Sequence, residues 1–340
     1  MADTAIRSIG VVGAGAWGTA LACAAARTGS SVVLWARRAE QAAALARDRE
    51  NRVRLPGVAI AAAIRVTDAL PEVAGCDALL LVSPAQELRA LATRLGPLVP
   101  TDRPLVICAK GIEQSSGALL TEVLDECLPG RPQAVLSGPS FAAEVGRDLP
   151  TAVTLACNDA ELGEALIRAI GSRCFRPYLS PDPTGAAIGG ALKNVIALAC
   201  GIVAGRRLGD NARAALITRG LAEITRLGVA KGGKFETFMG LSGLGDLSLT
   251  CSSRQSRNFS FGLALGEGLE PAAIEASQAG IAEGRYTAAA AATMTAALGV
   301  EAPILEAVDA VLNRGAAIDE TIAGLLARPF TAEFAAASRE

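Results

Sequence analysis

The residues with the most chemical potential are two lysines, an aspartate and an arginine, because the sequence holds no histidine. Without an imidazole, a proton moving to or from a substrate oxygen must use Lys, Asp, Glu, Cys or Tyr, or a water they hold. The run Gly189-Gly190-Ala191-Leu192-Lys193-Asn194 opens an otherwise apolar helix. On one reading Lys193 and Asn194 are its solvated first turn. On the other the buried surroundings desolvate Lys193, lower its pKa and make it a base; with histidine absent it is the best candidate. Lys110 follows an apolar strand in Ala109-Lys110-Gly111, either an ordinary surface lysine or one at the sheet edge where ligands bind.

Two further clusters fit a bound anion. Ser137-Gly138-Pro139-Ser140 follows another strand, and its hydroxyl and backbone N–H groups suit a phosphate or hydroxyl as well as a plain turn. The glycines around Asp246, in GLSGLGDLSLT, allow a loop that gathers Asp246, Ser256, Arg257 and Asn258 into one pocket. There Arg257 offers a bidentate fork for phosphate, with a general surface loop as the competing reading. Asp210 and Asn211 read as a helix cap.

Near the N-terminus an apolar strand runs into Gly13-Ala14-Gly15-Ala16-Trp17-Gly18 and then a helix. In that setting the spacing is a dinucleotide-binding turn. Gly13 permits the bend, Gly15 admits a pyrophosphate, Gly18 lets helix and strand touch, and the helix N-terminus faces the phosphates. At the end of the second strand, where an NAD-selective site often places Asp or Glu, stand Arg37 and Arg38. An arginine there can pair with a 2′-phosphate or stand as a solvated helix-start residue; on the first reading the expected coenzyme is NADP(H), with NAD(H) also accepted.

The elements that must position these groups fall into two textures. Strands are expected at 6–12, 30–36, 77–82, 104–109, 133–137 and 151–156, separated by helices that include 39–50 and 86–95. Alternation of this kind is an α/β, doubly wound Rossmann-type sheet, with the later strands as possible antiparallel additions. From about Ile188 helices dominate, at 188–204, 211–227, 271–278, 287–298 and 302–314. The expected organisation is a coenzyme domain at 1–188, a mostly α-helical substrate domain at 189–330 and a loose tail at 331–340.

Composition narrows the function classes. Across 340 residues, 32 basic and 34 acidic side chains leave a net charge of -2, with no basic stripe for nucleic acid. Charge, Gly and Pro interrupt the Ala-rich runs too often to supply ~20 consecutive apolar residues for a membrane span. No signal-peptide pattern precedes the first strand, so a cytoplasmic protein is expected. The eight cysteines form no CxxC pair, and Cys23, Cys108 and Cys157 sit in apolar runs, so reduced thiols and no metal site are expected.

Taken together, the segments resemble the bacterial NAD(P)-dependent glycerol-3-phosphate dehydrogenase family. The matching pieces are GAGAWGTALA at 13–22, KG at 110–111, LSGPSFAAE at 136–144, GGALKNV at 189–195 and LGDNARAALITRG at 208–220, then TFMGLSGLGDLSLTC at 237–251, SRN at 256–258 and AEG at 282–284. They span most of the chain in the family's order.

The resemblance implies reversible reduction of dihydroxyacetone phosphate to sn-glycerol 3-phosphate, which supplies phospholipid synthesis, and it implies a homodimer. It makes Lys193 the proton acceptor in alcohol oxidation, with Lys110 beside it. Lys110, Gly138, Ser140, Lys193, Asp246, Ser256, Arg257 and Asn258 become substrate contacts. Ala16, Trp17, Arg37, Arg54, Lys110, Ala142, Arg257, Ile281 and Glu283 become coenzyme contacts. The sequence departs from the pattern at Ala16, where the family usually has serine, and at Arg54, where it often has tyrosine. The competing readings are a lysine-dependent β-hydroxyacid or phosphogluconate dehydrogenase, and an NADPH-binding protein without turnover.

Overall fold

The computed structural model describes residues 6–277, 282–330 and 332. Ile281 and nearly all of the expected tail lie outside the described residues. Among the described residues there are ten strands: β1 (Ser8–Val12), β2 (Ser31–Trp35), β3 (Glu50–Asn51), β4 (Leu55–Ala59), β5 (Arg65–Thr67), β6 (Ala78–Leu81), β7 (Leu105–Ile107), β8 (Gln133–Ser137), β9 (Thr151–Ala156) and β10 (Phe175–Ser180). Eight form one sheet in the order β10-β9-β8-β7-β6-β1-β2-β5. Neighbours are parallel except β8 and β9, so the last two strands run against the rest.

Both faces of the central strands are covered, which is why they read as unbroken apolar runs. Ile9, Val11, Leu80 and Val106 enter the core on one face, while Val12, Leu79, Leu81 and Ile107 enter the core on the other. Two strands of this sheet have no such signature. β5 pairs with β2 over three residues only, and β10 is an edge strand that tolerates Pro177. The order reverses between β6 and β1, and a crevice at such a switch point is where open α/β sheets bind ligands.

The helical half is organised by one buried helix, Pro183–Gly205. It starts earlier than sequence texture suggested, so residues 188 and 189 lie inside it and Lys193 is in its interior, not its first turn. Among the described residues it is the helix long and apolar enough to cross a membrane, yet 89% of its apolar window is buried inside the protein. Such burial marks a core helix.

Close packing against the helix Arg257–Gly266 depends on glycine. A Cβ at Gly201 would lie 2.2 Å from Phe259 O, one at Gly262 2.1 Å from Leu198 O, and one at Gly266 2.5 Å from Ile202 O. Backbone thus meets backbone, and the N-terminal end of the second helix is drawn against Asn194. The Asp210–Asn211 cap is corrected: the N-cap is Gly209, with φ 90°, and Asp210 sits in the first turn, paired with Arg213 at 2.9 Å.

Asp182 anchors the start of the central helix. Its Oδ1 accepts from Gly185 N at 2.8 Å, and its Oδ2 accepts from Lys234 N at 2.8 Å and Thr237 Oγ1 at 2.6 Å. Replacing it removes a cap and leaves donors in a buried place. Asp182→Ala is expected to lower the unfolding free energy by about 2–4 kcal/mol, read from urea denaturation.

Candidate active site

Two neighbouring glycines set where Lys193 stands. A Cβ at Gly189 would approach Ser242 O to 2.6 Å, and one at Gly190 would approach Ser137 Oγ to 2.5 Å. Their absence lets the central helix lie between β8 and the π-helical turn Leu241–Gly245. That turn delivers Asp246, the first residue of the helix Asp246–Ser252. On the other side, the loop after β7 delivers Lys110.

The three side chains converge. Asp246 is 1% exposed, and Lys193 and Thr250 are also buried. Lys193 Nζ donates to Asp246 Oδ1 and, at 2.9 Å, to Thr250 Oγ1. Lys110 Nζ donates to Asp246 Oδ2 at 2.7 Å and to Gly138 O at 3.0 Å. One buried carboxylate therefore serves two ammonium groups, which leaves the cluster with an excess positive charge. Burial pulls the Lys193 ammonium down to about 8; the Asp246 charge opposes that fall and the Lys110 charge adds to it.

Around this centre the other expected residues take different places. Ser140 Oγ donates to Gly138 O at 2.9 Å. Ser256 is the N-cap of the helix Arg257–Gly266, its hydroxyl accepting from Phe259 N at 3.2 Å. Asn258 is a buried brace: its Nδ2 donates to Asn194 Oδ1 at 2.9 Å and its Oδ1 accepts from Gly284 N at 3.0 Å. Arg257 remains exposed at the first position of its helix, within the fields of Glu283 and Arg54.

The coenzyme loop fits a dinucleotide. Gly13 has φ 127°, and a Cβ there would lie 2.7 Å from Val82 O. At Gly18 it would lie 1.7 Å from Gly13 O, whereas at Gly15 it meets nothing within 4 Å. The helix Ala16–Ala26 has no side-chain cap and no acid in its first turn, so its N-terminus is open to an anion. Ala14 O is held by Gln41 Nε2 at 2.8 Å and Asn51 Nδ2 at 3.1 Å. Ala16 and Trp17 are half-buried at the loop, as is Ala142 at the start of the short helix Ala142–Gly146. Arg54 is exposed in the turn between β3 and β4. Arg37 pairs with Glu87 at 2.6 Å. Glu283 Oε1 accepts from Ala85 N at 3.2 Å while its buried Oε2 has no partner.

No role is assigned from sequence to Thr250, Gln41 or Asn51, whereas Asn194, expected with Lys193 in a solvated first turn or a buried helix, is buried and held by Asn258. Thr250 carried a signal, since it stands four residues after Asp246 and hence on the same helical face. Gln41 and Asn51 carried none, because nothing local ties them to the glycine loop. All eight cysteines are free.

A model of the NAD-dependent glycerol-3-phosphate dehydrogenase N-terminus matches residues 8–163, and its C-terminal counterpart matches residues 182–323. The chain belongs to this family. It is 54% identical to the NAD(P)+ glycerol-3-phosphate dehydrogenase of Parvibaculum lavamentivorans, over 97% of this chain and 99% of the relative. With that of Caulobacter vibrioides the identity is also 54%, over 96% and 98%. The crystal structure of glycerol-3-phosphate dehydrogenase from Coxiella burnetii superposes with a TM-score of 0.91 at 37% identity, covering 95% of this chain and 99% of that one. The family is NAD(P)-dependent, and this member is an oxidoreductase with its Rossmann-type sheet followed by a helical half.

Because Gly189 touches backbone, an added methyl must move the turn that carries Asp246. Gly189→Ala is expected to cost about 1–3 kcal/mol of stability and to lower turnover about 100-fold. Thermal unfolding and steady-state assay of the same preparation test the two effects separately.

Proposed function

We propose that this enzyme reversibly reduces dihydroxyacetone phosphate to sn-glycerol 3-phosphate, supplying the backbone of phospholipids, and that it works in the cytoplasm as a homodimer. The observation that carries the chemistry is the buried Asp246 carboxylate shared by Lys193 and Lys110. The coenzyme, held by Gly13, Gly15, Ala16, Trp17, Gly18, Arg37, Arg54, Ala142 and Glu283, supplies a hydride to substrate C2 when bound. The chain's own residues handle everything else.

Lys193 holds the proton that the C2 oxygen takes during reduction. A lone buried lysine facing a lone buried aspartate would be reluctant to lose it, because a bare carboxylate would remain. Lys110 removes that difficulty by staying bonded to the other Asp246 oxygen. It also sets a positive charge beside the place where alkoxide character develops. Thr250 accepts from the Lys193 ammonium and fixes its direction. Arg257 and the amides opening its helix receive the phosphate, with Ser256 and Asn258 holding that helix end in place. Packing of the helical half against the sheet shields Lys193 and Asp246 from water.

This reading differs from that of a β-hydroxyacid or phosphogluconate enzyme in the substrate it requires, so dihydroxyacetone phosphate is expected to be turned over in preference to ketopantoate and 6-phosphogluconate. A protein without turnover would neither oxidise NADPH with dihydroxyacetone phosphate or ketopantoate nor reduce NADP+ with 6-phosphogluconate.

Lys193→Ala is expected to lower kcat by about 10²–10⁴-fold while coenzyme affinity stays nearly unchanged. Near-wild-type turnover in that variant would remove Lys193 from the mechanism. A pH series adds a signed check. Reduction needs the ammonium and is expected to fall as pH rises through about 8, while oxidation needs the neutral amine and is expected to rise through the same value.

A further inference from the structure

We propose that Glu87 tunes the choice between NADP(H) and NAD(H) by holding Arg37 in an ion pair across the mouth of the coenzyme cleft. The inference rests on the dinucleotide reading of the glycine loop and extends it to the adenosine end.

The placement follows from strand order. Arg37 lies two residues beyond β2, and Glu87 ends the single turn Ala85–Glu87 that follows β6. β2 and β6 are the two neighbours of β1, whose C-terminal end becomes the glycine loop. An ion pair between them therefore passes over that loop. Arg37 Nη1 donates to Glu87 Oε2 at 2.6 Å, and the two side chains are 61% and 43% exposed, so a ligand can reach both.

Glu87 is presented from a fixed turn. Its neighbour Gln86 donates through Nε2 to Ile112 O at 2.9 Å and accepts at Oε1 from Gln114 N at 2.9 Å. The adjoining cavity, about 460 Å³, is lined by Gln86, Gln114, Ser115 and Tyr286 as well as Glu87, Glu113 and Glu283. Glu113 is already paired with Arg89 at 2.8 Å, which leaves Glu283 as the acid that faces Glu87 across it. Glu283 already feels the Glu87 charge.

A 2′-phosphate that reaches Arg37 thus arrives beside a carboxylate, and displacing that carboxylate works against the field of Glu283. A 2′-hydroxyl carries no charge to be repelled and can donate to Glu87. Arg37 alone favours the phosphorylated coenzyme; the pair offsets that preference and keeps NAD(H) competitive.

The test is calorimetric titration with adenosine 2′,5′-bisphosphate and with 5′-AMP, which differ at the 2′ position. Glu87→Gln is expected to tighten the bisphosphate about three- to tenfold and to leave 5′-AMP within about twofold, as befits one partly screened charge. The gain is expected to shrink in about 0.5 M salt and to vanish when Arg37→Ala is added. Equal tightening of both probes, or a gain that survives loss of Arg37, overturns the role of Glu87 while leaving the coenzyme site intact. Failure of both probes, NADH and NADPH to bind the unaltered enzyme would overturn the coenzyme reading, and this inference with it.

Discussion

The carboxylate of Asp246 is the constraint around which the functional half of this protein is arranged. An anion with 1% exposure survives only if it is compensated at contact distance. Here the compensation comes twice, from Lys193 on the central helix and from Lys110 at the end of a sheet strand. The same contact therefore ties the two halves of the molecule together and leaves one positive charge beyond neutrality. In a site inferred to act on a ketone and its alcohol, that surplus is aimed at the oxygen whose charge changes.

Glycine makes this arrangement sterically possible. Gly189 and Gly190 let the central helix approach the turn before Asp246 and the end of β8, and Gly201, Gly262 and Gly266 let it cross a second helix backbone to backbone. Each position lacks a side chain where the next atom is already occupied. The low aromatic and high glycine content of the sequence thus finds its use in close helix crossings, and in the coenzyme turn where Gly18 nearly touches Gly13 O. Burial then acts on the group so placed, bringing the Lys193 ammonium down to about 8.

At the other end of the cleft the charges work in the opposite sense. Arg37 and Glu87 are exposed, so their pair adds little to folding, of the order of 0–1 kcal/mol. What it affects is the field met by a ligand. A buried carboxylate shared by two lysines and a surface ion pair thus share the sheet's C-terminal side, the first inferred to serve proton transfer and the second coenzyme choice.

Much of this was determined by the sequence alone. Gly13, Gly15 and Gly18 between a strand and a helix specify the tight strand-to-helix turn, because that geometry is local and its residues lie within one short run. The absence of histidine makes Lys193 the strongest proton-transfer candidate, and the apolar residues after it imply burial. The change from strand to helix texture was also legible, although the central helix began at Pro183 and not at 188. Short edge strands such as β5 and β10 were not legible, since three paired residues or a proline leave no period to read. Tertiary structure decided what stands next to what. Asp246 is 53 residues from Lys193 and 136 from Lys110, and Arg37 is 50 from Glu87. Spacing that long carries no geometric information, so a shared carboxylate and an ion pair over the glycine loop exist only once the sheet order and the glycine-lined helix crossings have brought their elements together.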